Sequence, residues 1–146
     1  MGSANLSRQH PQAYQAMVAF DRAAIAAASA AGLDPLLIEL VKVRISQLNG
    51  CAFCLRMHTR DAVAKGETVD RLAVIAAWWE SQYFTDIERS ALALAEEVTE
   101  LPVPQPRRWD TGVLNEEQVS AISWLAVMMN AWNRIAVSSH YPVGPD

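Results

Sequence analysis

The residues best suited to chemistry are two cysteines and a histidine in the first half of the 146-residue chain. Cys51 and Cys54, the two cysteines of the sequence, are three positions apart, and His58 follows four positions after Cys54. On a helix these positions lie at about 0°, 300° and 340° around the axis, so the three side chains project from one face. A dithiol with an imidazole beside it is typical of reversible thiol–disulfide chemistry.

Helix geometry makes that chemistry feasible for this pair. Positions i and i+3 lie near the Cα separation that a disulfide tolerates, roughly 4.4–6.8 Å. The first turn of a helix favours thiolate over thiol, because unpaired N–H groups and the positive end of the helix dipole stabilise negative charge. The dipole favours Cys51 as the reactive thiol, whereas the i,i+4 spacing to His58 favours Cys54. Sequence geometry alone therefore leaves open which cysteine attacks.

Two other interpretations of the cysteine pair are a structural zinc site and inert core packing. Zinc would need a fourth ligand, and the remaining histidines, His10 and His140, lie near the two ends of the chain without metal-type spacing. Gly50 precedes Cys51 and places the pair at a helix start rather than in the middle of a core. Thiol redox chemistry without a bound metal is the favoured interpretation.

The elements that must position these residues are predicted to be helices. Asp34-Pro35 combines a cap with a first-turn proline, and Thr85 with Glu88 forms a capping box. Apolar residues recur at helical spacing between such signals, and no alternating strand pattern interrupts them. We predict an all-α, compact bundle of about six helices. The predicted spans are 11–31, 35–48, 51–65, 68–79, 85–99 and 115–137.

Residues 1–146 are predicted to form a single domain with its core over about residues 15–137, because a chain of this length fits one domain. Pro102, Pro104 and Pro106 at alternate positions exclude helix and predict an extended, proline-rich loop within residues 100–114. That segment is interpreted as a loop rather than a domain boundary.

Composition excludes some partners and suggests another. Hydrophobic residues make up 51% of the chain and charged residues 19%, against about 45–50% and about 25% in an average soluble domain. The apolar surplus suggests subunit contacts. The net charge of −4 and the lack of a basic cluster longer than Arg107-Arg108 argue against nucleic acid. No signal pattern or membrane-length apolar run is present, so we expect a cytoplasmic protein without a membrane partner.

Two further residues have structural interpretations from helical periodicity. Glu39 lies opposite the apolar stripe that contains Leu37 and Leu48, which predicts a solvated carboxylate. Trp132 falls in an apolar stripe with Met129 and is predicted to pack in the core. Periodicity alone assigns neither residue to a functional site.

The run from Glu39 to Thr59 resembles the AhpD-like alkylhydroperoxidases of the carboxymuconolactone decarboxylase superfamily. The family motif is a glutamate, eleven intervening residues, a CxxC pair and a histidine four places on. It falls on Glu39, Cys51, Cys54 and His58 without adjustment. The resemblance extends over about residues 15–137 and implies the helical AhpD-like fold.

The resemblance also implies roles. Cys54 would be the peroxidatic thiol, Cys51 the resolving thiol, and Glu39 with His58 a proton relay. It implies a hydroperoxide substrate, no cofactor, a thioredoxin-like or dihydrolipoyl dithiol donor, and a homo-oligomer that is a trimer or, by preference, a hexamer. Phe53 stands where founding AhpD enzymes commonly have a histidine, which predicts a less polar relay and low peroxidase efficiency.

Two alternative functions stay open at this point. One is cofactor-free decarboxylation of a lactone acid, which needs acid/base groups and an anion-binding cation rather than a cysteine pair. The other is a non-catalytic redox sensor or scaffold, in which the bridge changes packing or partner binding without turnover. The CxxC pair argues against the first, and rapid peroxide turnover would argue against the second.

Overall fold

The protein is described by a computed structural model that covers residues 2, 4–101 and 108–146. Within these residues every regular element is helical, so the predicted all-α class is confirmed. The loop predicted from Pro102, Pro104 and Pro106 lies outside the described residues. The elements are α1 (Leu6–Gln9), α2 (Pro11–Ala30), α3 (Pro35–Leu48), α4 (Ala52–Ala64), α5 (Val69–Val74), a 3₁₀ helix (Ile75–Glu80), α6 (Asp86–Glu100) and α7 (Glu116–Ser138).

Local capping explains where the long helices begin. Asp34 accepts a hydrogen bond from the Leu36 backbone N–H at 2.7 Å, directly before α3. Thr85 and Glu88 form the predicted capping box at the start of α6, which satisfies N–H groups that have no partner within the helix. Asn115 begins α7 with a second capping box. Gly32 has φ +75° after α2, the left-handed conformation predicted for a helix-ending glycine.

The structure differs from the predicted helices in two places. A short helix, α1, precedes the first predicted one and is capped by Asn5, whose side chain accepts from the Arg8 N–H. Four residues are too few for periodicity to reveal. The helix predicted over 68–79 is divided into α5 and the 3₁₀ helix, where Ala77 has non-helical angles (φ −129°, ψ 38°). Next to this break, Trp78 donates from Nε1 to the buried Glu96 at 2.8 Å.

Helix α3 runs through the centre of the bundle and packs against α4, α6 and α7. Ten consecutive residues, Leu37 to Ser46, are buried. Val41 and Ile45 belong to the larger hydrophobic cluster, and Leu40 and Val43 to a smaller one. Because opposite sides of α3 are covered by protein, its charged residues cannot rely on water and must pair with other charges.

The larger cluster lies between α2, α3, α6 and α7 and includes both cysteines. The smaller cluster joins α3 to the 3₁₀ helix and the start of α6 through Ile75, Trp78 and Phe84. No helix in the described ranges combines the length and the apolar character needed to cross a membrane. The α3–α4 pair, whose connection brings the two cysteines into the larger cluster, positions the site described next.

Candidate redox site

The two cysteines lie at the start of α4. Gly50 has φ +63°, a conformation that glycine adopts at little cost, and it turns the chain from α3 towards α4. Cys51 is the N-cap residue, and its sulfur accepts a hydrogen bond from the Cys54 backbone N–H at 3.2 Å. The two residues form a disulfide with a Cα separation of 5.4 Å. This separation lies within the range of roughly 4.4–6.8 Å that a disulfide tolerates.

His58 lies on α4 one turn after Cys54 and is buried. Its Nδ1 is 3.3 Å from Oε2 of Glu39 on α3 and 3.6 Å from Oδ2 of Asp61. Neither Nδ1 of His58 nor Oε2 of Glu39 has an aligned hydrogen-bond partner among the described residues. The imidazole and the carboxylate are thus in close electrostatic contact.

Two lysines complete the surroundings of Glu39. Lys65 donates from Nζ to Oε1 at 2.5 Å, and Nζ of Lys42 lies 3.5 Å from the same oxygen. Burial by itself raises the pKa of Glu39, but the contacts with His58 and Lys65 and the charges of Lys42 and His58 outweigh it. The pKa falls from 4.5 to about 2. Glu39 is consequently a carboxylate at neutral pH and a constant negative charge beside His58.

The interpretation of Glu39 as a solvated carboxylate is wrong. The residue is 1% exposed, because α3 is covered by protein on the side that the apolar pattern marks as polar. A helix pattern locates the most apolar face, but it does not show whether the opposite face meets water or another helix. The position implied by the family resemblance, next to His58, is where the structure places this side chain.

A cavity of about 440 Å³ adjoins this pair and is lined by Cys54 and His58. Trp132 contributes a wall and donates from Nε1 to Oδ1 of Asp21 at 3.0 Å. Its ring also packs edge-on against Tyr14, with ring centres 5.6 Å apart. The other lining side chains are mostly apolar or aromatic and include Val18, Ile25, Phe53, Met57, Met129, Ala136 and Tyr141, together with Lys42. The volume suits a small organic molecule with an apolar body.

Sequence reasoning missed most of this cavity wall. Trp132 does pack against the larger cluster as predicted, but it also lines the cavity, which periodicity does not indicate. Lys42 stands three residues after Glu39, a helical ion-pair spacing that offered a signal for its place beside the carboxylate. Tyr14 and Tyr141 come from opposite ends of the chain, and no local pattern relates them.

The same cluster contains the residues best placed to hold a metal ion. Glu39, His58 and Asp61 each offer one ligand atom, and these atoms lie within 4.8 Å of one another. Lys42 and Lys65 already bring positive charge to Glu39, which opposes binding of a cation there. Zinc binds cysteine as a thiolate. In the disulfide neither Cys51 nor Cys54 is a thiolate, so the two cysteines offer no zinc ligand in this state.

A sequence model of the carboxymuconolactone decarboxylase family matches residues 11–97. The match runs from the start of α2 into α6 and contains Glu39, Cys51, Cys54 and His58. This chain belongs to the carboxymuconolactone decarboxylase family. The family relationship expected from the glutamate, CxxC and histidine motif is therefore confirmed.

Two bacterial proteins are similar in sequence to part of this chain. The uncharacterized protein YdfG of Bacillus subtilis (strain 168) is 39% identical over an alignment of 104 residues, and the match covers 68% of this chain and 71% of YdfG. The uncharacterized protein YnjA of Escherichia coli (strain K12) is 36% identical over 70 residues, or 48% of this chain and 38% of YnjA.

A solved structure is similar over the whole chain. It is a protein of unknown function from Agrobacterium tumefaciens, for which the role of an antioxidant defence protein AhpD has been put forward. The TM-score is 0.84 at 28% identity, and the match covers 99% of this chain and 100% of that protein. The predicted AhpD-like fold is confirmed by this likeness.

Proposed function

We propose that this protein is a thiol peroxidase that reduces organic hydroperoxides through Cys54 and Cys51. The observation that carries the proposal is the shared cavity. Cys54 and His58 both line it, and the buried carboxylate of Glu39 lies 3.3 Å from Nδ1 of His58. A thiol, a base and a group that stabilises the charged base are thus assembled beside a space for substrate.

The first step is activation of Cys54 in the reduced protein. His58 takes the thiol proton, and the Glu39 carboxylate stabilises the imidazolium that results. Burial opposes ionisation of Glu39, but its contacts with His58 and Lys65 and the charge of Lys42 lower its pKa to about 2 and keep it ionised. The carboxylate therefore does not compete with His58 for the proton at neutral pH.

The second step transfers oxygen. The Cys54 thiolate attacks the terminal oxygen of the hydroperoxide, the O–O bond breaks, and the alkoxide leaves as an alcohol after taking the proton from His58. Cys54 is now a sulfenic acid. The Cys51 thiol attacks that sulfur, the S–O bond breaks, and water leaves. The product is the Cys51–Cys54 disulfide, with the Cα separation of 5.4 Å that the structure has.

The cavity wall indicates the class of peroxide. Val18, Ile25 and Met57 provide apolar contacts that an alkyl or aryl group fills and hydrogen peroxide does not. Phe53 extends the apolar wall at the position before Cys54. We therefore propose alkyl or aryl hydroperoxides as substrates. Phe53, which replaces the histidine common in founding AhpD enzymes, makes the site less polar and limits the rate of proton transfer.

Two partners complete the proposal. A dithiol donor, thioredoxin-like or dihydrolipoyl, returns two electrons to the disulfide. A homo-oligomer, a trimer or hexamer, is supported by Trp124 and Val127, which lie one turn apart on α7 and are 55% and 44% exposed. Large apolar side chains adjacent on one surface are typical of subunit contacts.

The test is a free-thiol count on the reduced protein before and after one equivalent of cumene hydroperoxide. We expect rapid loss of both thiols in the wild type, a trapped sulfenic acid in Cys51→Ser and no reaction in Cys54→Ser. Two untouched thiols in the wild type would refute the proposal and favour the decarboxylase. Slow oxidation without repeated turnover in the presence of dithiothreitol would favour the sensor or scaffold.

A further inference from the structure

The disulfide lies between two cavities. Of the two cysteines, Cys54 lines the cavity of about 440 Å³ described above, and Cys51 lines a second cavity of about 290 Å³. Phe53 and Tyr141 line both cavities, and their rings pack edge-on with centres 5.1 Å apart and planes at 72°. This aromatic pair forms a partition, and each cysteine lines a different space.

The second cavity is built by the C-terminal tail, residues 139–146, as it returns over α4. Val137 and Val143 line this cavity along with Ala52, Ala136 and His140. The tail is held by two contacts with α4: Arg56 donates to the Gly144 carbonyl at 2.7 Å, and Arg60 pairs with Asp146 at 3.0 Å. The second cavity is therefore a feature of the fold, with a wall secured by side-chain contacts.

We propose that the reducing dithiol enters this second cavity and attacks the sulfur of Cys51, while hydroperoxide reaches Cys54 through the first cavity. This inference rests on the proposed function, because it assigns the reductive half of the same cycle. The occupant is a dithiol on an unbranched chain. Cys51 and Cys54 are 1% and 2% exposed, so the flat surface of a folded domain does not reach the disulfide.

The exchange then proceeds in two balanced steps. A donor thiolate attacks Cys51, the Cys51–Cys54 bond breaks, and Cys54 leaves as a thiolate beside His58. The donor's second thiol, after losing its proton, attacks the donor sulfur now bound to Cys51. The donor closes to a disulfide and Cys51 leaves, taking up a proton. The donor loses two electrons, which the two cysteines receive, and two protons. One proton goes to Cys51, and His58 takes up the other beside the Cys54 thiolate.

The choice of Cys51 follows from the leaving group and from access. Thiol–disulfide exchange is faster when the leaving sulfur is the more acidic one and when the attacked sulfur is accessible. Attack on Cys51 expels Cys54 as a thiolate. This is the thiolate that His58, with the ionised Glu39 beside it, stabilises in the proposed mechanism. Attack on Cys54 would instead bring the dithiol into the peroxide cavity and make the two substrates compete.

Single-cysteine variants test the assignment of cavities directly and without peroxide. Cys54→Ser leaves Cys51 to be labelled by dithiobis(nitrobenzoate), and Cys51→Ser leaves Cys54. Adding Val137→Trp, which narrows the second cavity, should slow labelling of Cys51 about tenfold and that of Cys54 less than about twofold. Adding Met57→Trp, in the first cavity, should do the reverse. Equal effects on both cysteines would overturn the inference.

The second measurement is the rate at which dithiothreitol reduces the oxidised, full-length protein. Val137→Trp should reduce this rate about tenfold. Val69→Trp, the same change at a residue of α5 that is 76% exposed and lines neither cavity, should leave it unchanged. Val143→Trp blocks the second cavity from the tail and provides an independent variant should Val137→Trp fold poorly. Oxidation of reduced Val137→Trp by cumene hydroperoxide should stay within about twofold of wild type.

The outcomes separate this inference from the proposed function. Failure of the wild type to react with hydroperoxide refutes the peroxidase but leaves both experiments informative about access to Cys51. Slow reduction in Met57→Trp, with normal reduction in Val137→Trp and Val143→Trp, would show that dithiol enters through the first cavity. If a folded thioredoxin reduced the Cys51–Cys54 disulfide as fast as dithiothreitol does, a dithiol on an unbranched chain would be refuted as the occupant of the second cavity.

Discussion

Substitution of Glu39 by glutamine gives the sharpest test of the charge arrangement at the site. Glu39 is 1% exposed and its pKa is lowered from 4.5 to about 2. At about 1.4 kcal/mol for each pH unit, that difference corresponds to about 3 kcal/mol of folding stability at neutral pH. Glu39→Gln removes the carboxylate, keeps the shape of the side chain and takes away the negative charge that Lys42, Lys65 and His58 share.

The pH dependence follows from the direction of the change. Because the folded-state pKa is below the unfolded value, the stabilisation is fully present above pH 4.5 and declines as the pH falls towards about 2. The free energy of unfolding of wild type should exceed that of Glu39→Gln by about 3 kcal/mol at pH 7, and the difference should shrink across this window.

Urea unfolding of the oxidised proteins, followed by circular dichroism at pH 7, 4.5, 3 and 2.5, measures this difference. The exposed Glu80→Gln is the control and should change the unfolding free energy by less than about 0.5 kcal/mol at any pH. A difference between wild type and Glu39→Gln that stays constant from pH 7 to pH 2.5 would refute the ion-pair reasoning. A difference below about 0.5 kcal/mol at pH 7 would do so as well.

Three further predictions concern the reaction, the assembly and the helix junction. His58→Gln should slow oxidation of the thiols by cumene hydroperoxide about a hundredfold in stopped-flow measurements; a rate like that of the control His10→Gln would remove His58 from the reaction. Trp124→Glu should convert the proposed oligomer to species of lower mass in multi-angle light scattering, because it places a charge on an apolar surface. An unchanged mass would show that Trp124 does not lie in a subunit interface. Gly50→Ala should lower the unfolding free energy by about 1–2 kcal/mol, because φ is +63° although an added Cβ meets nothing within 4 Å. Gly144→Ala is the control, because an added Cβ there also meets nothing within 4 Å and the backbone has no positive φ. Equal losses of unfolding free energy in Gly50→Ala and Gly144→Ala would contradict this explanation.

Much of the helical framework is predictable because its signals are local. Asp34 caps α3 and Thr85 with Glu88 caps α6 through contacts within three residues, and such contacts form wherever the helix lies in the fold. The division between α5 and the 3₁₀ helix is different. Ala77 has no unusual sequence signal, and the break adjoins Trp78, whose indole bonds to Glu96 on another helix.

The residues that line the cavity were not predictable either, because they meet through contacts between different segments of the chain. Tyr14 and Trp132 meet because α2 and α7 pack together, and Tyr141 reaches Phe53 because the tail returns over α4. Each of these residues has an ordinary apolar or aromatic environment in its own segment. Their common role as a cavity wall arises from packing between segments that are distant in sequence.

The sequence by itself determined that Cys54 and His58 share one face of α4 and that Cys51 lies at the start of this helix, because local spacing and helix-start signals fix both. Only the tertiary structure decided the surroundings of that face. Packing of α3 against α4 buries Glu39 and places its Oε2 3.3 Å from Nδ1 of His58. The aromatic partition and the C-terminal tail then give Cys51 and Cys54 different cavities. These distances depend on how whole helices pack, and no spacing within one helix encodes them.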